Sequence, residues 1–368
     1  MGAAAAPHPS RSILEVDLRA IVANWRALAA RLAPGAICAG VVKADAYGLG
    51  AAQVAPALAQ AGCTEFFVAH LEEALALRPL LPETAYLHVL NGCLPGEERI
   101  FVAAGLVPVL NDPGQVVNWA AQARRLGHPL PAALHLDTGM SRLGLTPREA
   151  QTLAAQGEAS APIDLRLVMS HLARAEEACA MNGEQLARFA VLRARWPAAR
   201  ASLANSSGIF LGAPFHFDLA RPGAALYGIN PVPGRPNPQL AVVRLTAPVL
   251  QIRDIAPPET IGYGATFQAP AAMRIATLAC GYADGWPRSL SNSGTVHHEG
   301  LSLPILGRVS MDTIVVDATT APGLRVGNRV ELLGSTIGVD QVADAAGTNG
   351  YEVLTRLGRR FSRVYAAA

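Results

Sequence analysis

The sequence predicts an α/β unit followed by a β-rich one: an N-terminal (β/α)₈ TIM-type barrel and a C-terminal, mostly β domain. Three observations carry this expectation. Eight short apolar runs alternate with helical segments rich in alanine, leucine and arginine over about 220 residues, a layout that closes into a parallel barrel. A proline cluster, PVPGRPNP at 231–238, then interrupts the chain as a linker. Beyond it, short segments of alternating polarity separated by Gly and Pro read as half-buried antiparallel strands. The expected division is a tail at 1–11, a barrel domain at 12–238 and a β domain at 239–368.

Taken in order, Leu18, Ile21, Val22, Trp25, Leu28 and Leu32 recur at helical spacing behind Asp17, a residue type that caps helix starts. The barrel strands are expected at 36–43, 65–69, 85–90, 106–110, 132–137, 165–170, 201–204 and 217–220. Helices fall between most of them, for example at 71–81, 115–126 and 183–195. An open doubly wound sheet would use the same alternation, but eight strands suit a closed barrel better. In the second domain strands are expected at 242–250, 274–278, 303–306, 313–317 and 329–332, with helical spacing at 351–357.

Composition narrows the function. With 51% hydrophobic and 16% charged residues the chain is expected to bury a large core. Its net charge is +2 with no basic block, which argues against a nucleic-acid partner. Mean hydropathy is +0.26, yet no run of 18 apolar residues is free of charge, so no membrane span is expected. The first ten residues lack the basic and apolar regions of a signal peptide. Five cysteines without CxxC spacing predict neither a disulfide framework nor a zinc site and suit a reducing cytoplasm.

Among 30 basic side chains there is a single lysine, Lys43. Coding bias toward arginine explains the excess, but arginine cannot replace a primary amine that must lose its proton and attack a carbonyl. Lys43 ends the first expected strand, at the barrel face where active sites are built. Arg142 in DTGMSRLG, His171 in MSHLA, Asn205 and Ser206 in ANSSG, and Arg221 in ARPGAALYG fall at the ends of later strands. Each alone has a plain structural explanation: a surface ion pair, a buried histidine, a helix cap, a turn before proline. Five strand ends converging on one face make a site.

VVKADAYGLG, DTGMSRLG, SHLARAE, ANSSG, RPGAALYG, GYADGWPR and GRVSMD, in that order from about residue 12 to the end, resemble the blocks of the alanine racemases. The resemblance implies pyridoxal 5′-phosphate (PLP) as cofactor, alanine as substrate, and a homodimer whose active sites are completed by the partner's β domain. It implies that Lys43 bonds the cofactor and then acts as one acid/base. Tyr47, His171, Ser206, Arg221, Gly223 and Ala224 correspond to cofactor-binding positions, with Tyr47, Ser206 and the backbone of Gly223 and Ala224 around the phosphate. Arg221 corresponds to the arginine facing the pyridine nitrogen, where a guanidinium that keeps its proton leaves the ring a weaker electron sink. Tyr282 resembles the second base, working on the opposite face from the partner subunit. A phenol is a weak base at neutral pH, so a neighbouring cation is expected, with His171 and Arg221 as candidates. Arg142 and the amide of Met311 resemble the pair that binds the substrate carboxylate, with Asp312 structural.

Two positions depart from the family. Many members carry a carbamylated lysine seven residues before the GMSR arginine; here it is His135, and Lys43 is the sole lysine, so carbamylation is excluded. His135, a bound anion such as chloride or another acid must hold Arg142. Near the C-terminus Arg359 stands where some relatives have a gate-forming tyrosine, and Tyr365 does not align with it. The expected activity is L- and D-alanine interconversion that supplies peptidoglycan synthesis, without a metal. The alternatives are a broad-specificity racemase of the same fold, a related barrel decarboxylase and a non-enzymatic PLP-binding module. GYADG followed by SMD counts against the decarboxylase, and the second domain against the module.

Overall fold

The computed structural model describes residues 11–155 and 162–367. The expected tail at 1–11 falls, apart from Arg11, outside the described residues. Ile13–Asp17, expected at the head of the barrel domain, instead forms a strand of the second domain's sheet. It pairs antiparallel with Val243–Ile255 and parallel with Ser362–Ala366. The reason is geometric. An extended segment carrying alternate buried Leu14 and Val16 needs ladder partners, and the second sheet offers two.

Leu18–Ala29 follows as a helix, and Asp17 caps it by accepting from the amides of Arg19 (2.9 Å) and Ala20 (3.2 Å). All eight expected barrel strands form. Gly40–Val41, Glu65–Val68, Tyr86–Val89, Val107–Leu110, Leu130–His135, Ile163–Met169 and Arg200–Ser202 pair in sequence order, all parallel. The first strand is split: Ile37–Cys38 pairs with the eighth, Leu219–Ala220. The Asp218 amide donates to Ala201 O (3.0 Å) and the Arg221 amide to Ala204 O (2.9 Å), closing the ring between the seventh and eighth strands. Fully buried runs such as Glu65–Val68 and Val107–Leu110 fit strands covered on both faces.

The second domain is a closed sheet. Met273–Leu278, Ile314–Asp317, Leu301–Leu306, Thr295–His298, Arg329–Leu333 and Val243–Ile255 follow one another, and the last pairs back onto the first. Closure removes the exposed edges that an open antiparallel sheet would carry. Gly350–Arg356 is a helix that docks on the barrel. It meets the turn after Lys43, where Gly48 (φ +81) lies so close to Leu354 that an added Cβ would stand 2.6 Å from its carbonyl oxygen. Arg363 donates to Gly48 O from the neighbouring strand. The second domain thus braces the loop that carries the lysine.

Gly48→Ala combines a disfavoured left-handed conformation with this clash, whereas Gly96→Ala (φ +96) meets nothing within 4 Å and tests the conformational cost alone. Gly96→Ala is expected to lower stability by about 1 kcal/mol and Gly48→Ala by clearly more. Urea denaturation of both variants measures the difference, and equal losses would mean that the domain contact is slack.

Candidate active site

A cavity of about 900 Å³ opens at the C-terminal ends of the barrel strands. Lys43, His135, Arg142, His171, Ser206 and Arg221 all line it, so the strand ends singled out from the sequence do converge. Its apolar wall includes Val41, Phe67 and Met169, and Tyr351 of the second domain reaches its rim.

Lys43 is presented by an unusual turn. Ala44, Asp45, Ala46 and Tyr47 all have positive φ (53°, 54°, 54° and 57°), one turn of left-handed helix in non-glycine residues. Such residues cost roughly 1–2 kcal/mol each, so the turn must be held from outside. Glu73 Oε1 accepts from the Ala44 amide (2.6 Å) while its Oε2 accepts from Ala69 (2.7 Å). Asp45 Oδ1 accepts from the Ala51 amide (2.7 Å). Burial, then the positive charge of Arg142, push the Lys43 amine below its ordinary range, with Glu73 pulling upward and Arg221 adding a smaller downward push. That direction favours a neutral, nucleophilic amine.

On one side the cavity forms an anion cradle. Ser206 Oγ accepts from the amides of Gly223 (3.0 Å) and Ala225 (3.1 Å), so the Gly223 amide is already engaged and serves the cradle through Ser206. Ala224 opens the 3₁₀ turn Ala224–Tyr227, where first-turn amides point away from the turn's own bonds. Tyr47 packs on Tyr227 (4.8 Å between centroids), and its hydroxyl lies 2.4 Å from where a Gly223 Cβ would be. Only glycine fits at 223.

Arg221 is buried, its guanidinium held by Ser202 Oγ and Ser170 O. Burial brings its pKa down to about 9, which leaves it cationic at neutral pH. His171 is held well below the imidazole range by burial and by Arg221, Arg142, Lys43 and His135. That direction disfavours an imidazolium and weighs against its expected part as a cation beside the second base. Arg142 is exposed and makes no protein hydrogen bond among the described residues. Its loop is fixed by Asp137 Oδ1, which accepts from the amides of Gly139 (2.9 Å), Met140 (3.0 Å) and Ser141 (3.1 Å).

Tyr282 and Met311 are not brought to this cavity. Both lie on the second domain, 42% and 53% exposed. Their loops are joined, since the Tyr282 amide donates to Ser310 O (3.0 Å) and the Ala283 amide to Met311 O (2.9 Å). Arg360 clamps the same pair of loops through Asp284 (3.1 Å) and Asp312 (2.7 Å), so Asp312 is structural as expected. Arg359 lines a separate cleft beside Arg360, so it takes no place in the main cavity.

The sequence reading passed over Tyr263. It is 72% exposed, between Gly262 and Gly264 at positive φ. The Arg308 guanidinium rests on its turn, with Nη1 3.2 Å from the Gly264 Cβ position. An aromatic flanked by glycines in IGYGATF was the available signal.

Comparison with known proteins agrees with this geometry. Residues 16–231 match the family described as alanine racemase, N-terminal domain, and 242–365 match alanine racemase, C-terminal domain. The chain belongs to the alanine racemase family. It is 52% identical over 357 residues to an alanine racemase of Rhodospirillum rubrum, covering 96% of each chain. It is also 52% identical to a catabolic alanine racemase of Mesorhizobium japonicum, covering 96% of this chain and 93% of the relative. Among solved structures, alanine racemase from Bartonella henselae with covalently bound pyridoxal phosphate superposes with a TM-score of 0.94 at 44% identity. That match covers 97% of this chain and 100% of the other.

The buried imidazoles predict an acid-sensitive fold. His135 is depressed to about 4 by burial and by Arg221 and Arg142, and His88 is lowered by burial. Each binds its proton less readily folded than unfolded, so their contribution is full above about pH 6.5 and shrinks as pH falls toward the folded pKa. For His135 the loss by pH 5 is on the order of 2 kcal/mol. Denaturant midpoints at pH 7 and pH 5 measure it, and His135→Gln is expected to narrow the gap.

Proposed function

We propose that the protein is a PLP-dependent racemase that interconverts L- and D-alanine as a homodimer. The observation that carries the reading is the sole lysine, with its lowered pKa, set in one cavity between an anion cradle and an arginine that has no hydrogen-bond partner among the described residues. The residues fit the cofactor. Tyr47, Ser206 and Ala224, which opens a 3₁₀ turn, line one wall of the cavity and suit a phosphate, and Arg221 offers a fixed cation to a ring nitrogen. Bound there, PLP supplies an aldehyde carbon that bonds amines and a ring that draws electrons from the substrate Cα.

The chain's own residues supply the rest. Lys43 Nζ provides the amine and, once freed, holds or returns a proton on one face of Cα. Arg142 binds the carboxylate through charge-assisted hydrogen bonds. Arg221, a cation that does not give up its proton, would face the ring nitrogen and would make the ring a weaker electron sink.

Inversion needs a second base on the other face. Tyr282, Tyr263 and Met311 are exposed on the second domain and lie outside this chain's cavity, so a second copy must bring them. Tyr282 is the sequence reading. Tyr263 is favoured over it, because Tyr263 is the more exposed of the two and the Arg308 guanidinium lies beside its turn. The same exposed face argues against a PLP-binding module without activity. A cytoplasmic role in supplying D-alanine for peptidoglycan accords with five free thiols, four of them buried. The alternative is a racemase of broad specificity, for which a cavity of about 900 Å³ leaves room.

Purified protein is expected to carry a visible absorption band that Lys43→Ala abolishes. Tyr263→Phe is expected to keep the band and lose about 10²-fold or more in kcat, with a smaller loss for Tyr282→Phe. The reverse order would restore Tyr282 as the base. Loss of optical rotation is to be compared for L-alanine, L-serine and L-lysine. Faster turnover of lysine than alanine would replace the proposed substrate with the broad class.

A further inference from the structure

The helix Ala180–Arg193, which follows the sixth barrel strand, buries Asn182, Gln185, Phe189 and Leu192 at the spacing of one helical face. Two of the four are amides, and a buried amide is tolerated only when its hydrogen bonds are met. Gln185 is wholly buried. Its Oε1 accepts from the Ala173 amide (2.9 Å), while its Nε2 donates to His171 O (3.0 Å) and to Thr138 Oγ1 (3.1 Å). The partners fix which way the amide points, since a backbone N–H only donates and a carbonyl only accepts.

These partners belong to two separate parts of the cavity wall. His171 and Ala173 follow the sixth strand, and Thr138 opens the loop that carries Arg142. Thr138 Oγ1 also lies 2.7 Å from Ser170 Oγ, and the Ser170 carbonyl accepts from Arg221. The helix meets the Arg142 loop again where Arg188 Nη1 donates to Thr138 O (3.2 Å). A Cβ on Gly139 would stand 3.1 Å from that Nη1 and 3.8 Å from Gln185 Cγ. Past the strand pairing that ends with Leu136 N to Met169 O (2.8 Å), the two parts are joined, among the described residues, through Gln185 and the Thr138–Ser170 hydroxyls.

We propose that Gln185 is a positioning residue of the active site: it locks the segment carrying His171 to the loop carrying Arg142, and so keeps the Ser170 carbonyl in place to receive Arg221. This rests on the racemase reading, in which Arg142 takes the substrate carboxylate and Arg221 faces the cofactor ring. A glutamine suits the task because it offers one acceptor and two donors without a charge. A carboxylate there would turn an oxygen on the His171 carbonyl with no proton between them.

The test uses the PLP-loaded holoenzyme, with propionate as the carboxylate probe. Gln185→Met keeps the length of the side chain and removes its polar atoms. Its calorimetric Kd for propionate and its alanine KM are each expected to rise about fivefold, and kcat to fall about tenfold. Hydrogen exchange over 170–173 should quicken by about tenfold or more. Thr138→Val removes a hydroxyl of the same web and should reproduce part of these losses, while Thr138→Ser restores them. That pair keeps the question answerable if Gln185→Met does not fold. Leu192→Ala opens a cavity farther along the same helix. It should lower the urea midpoint yet leave Kd and KM within about twofold of wild type. Unchanged exchange over 170–173 in Gln185→Met, unchanged Kd and KM, or equal losses in Leu192→Ala overturns the proposal. If Gln185→Met quickens exchange and weakens propionate while the wild-type protein leaves alanine unracemised, the racemase reading fails alone.

Discussion

One desolvated cation anchors the wall of this cavity. Arg221 lies buried at the end of the eighth barrel strand, satisfied by Ser202 and the Ser170 carbonyl. A charge taken out of water is tolerated only when its donors are met, and it then acts over a long range because little solvent screens it. Burial comes first in moving Lys43, His135 and His171 toward the neutral form, and the charges of Arg221 and Arg142 add to it. A neutral lysine can attack, and neutral imidazoles can accept hydrogen bonds. The cavity therefore presents anion-binding charge at Arg221 and Arg142 without a cluster of competing protons.

The second constraint is mechanical. Four consecutive residues with left-handed backbone follow Lys43, and such a turn persists only where its surroundings hold it. Glu73 ties it to the second strand, while Leu354 and Arg363 of the second domain close on Gly48. The β domain thus supports its own chain's lysine from behind. Through Tyr282, Tyr263 and Met311 it also presents a face that its own cavity does not use. The proposed pairing of two copies would put that face to use.

Much of this was legible in the residues. Short apolar runs and alanine-rich helical segments located all eight barrel strands, because a parallel barrel buries both faces of every strand and leaves a strong apolar trace. The site blocks marked Lys43, Arg142, His171, Ser206 and Arg221, which do share a cavity. Other features left no trace. Ile13–Asp17 looks like any short strand, and nothing local says which sheet it joins. Gln185 is one helix residue among several until folding brings it against Thr138 and His171. Tyr263 and Tyr282 both stand beside glycines, and Arg308 distinguishes them only in three dimensions.

The sequence by itself determined the two-domain plan, the sole amine and the order of polar blocks along the strands, since these follow from periodicity and from chemistry that one residue type can perform. Tertiary structure alone decided the charge states and the partners. Whether His171 is a cation, whether the Gly223 amide is free, and which segments Gln185 ties together depend on burial and on residues distant in the chain. Side-chain periodicity records which face is covered, but desolvation and hydrogen-bond direction arise only when separate segments meet.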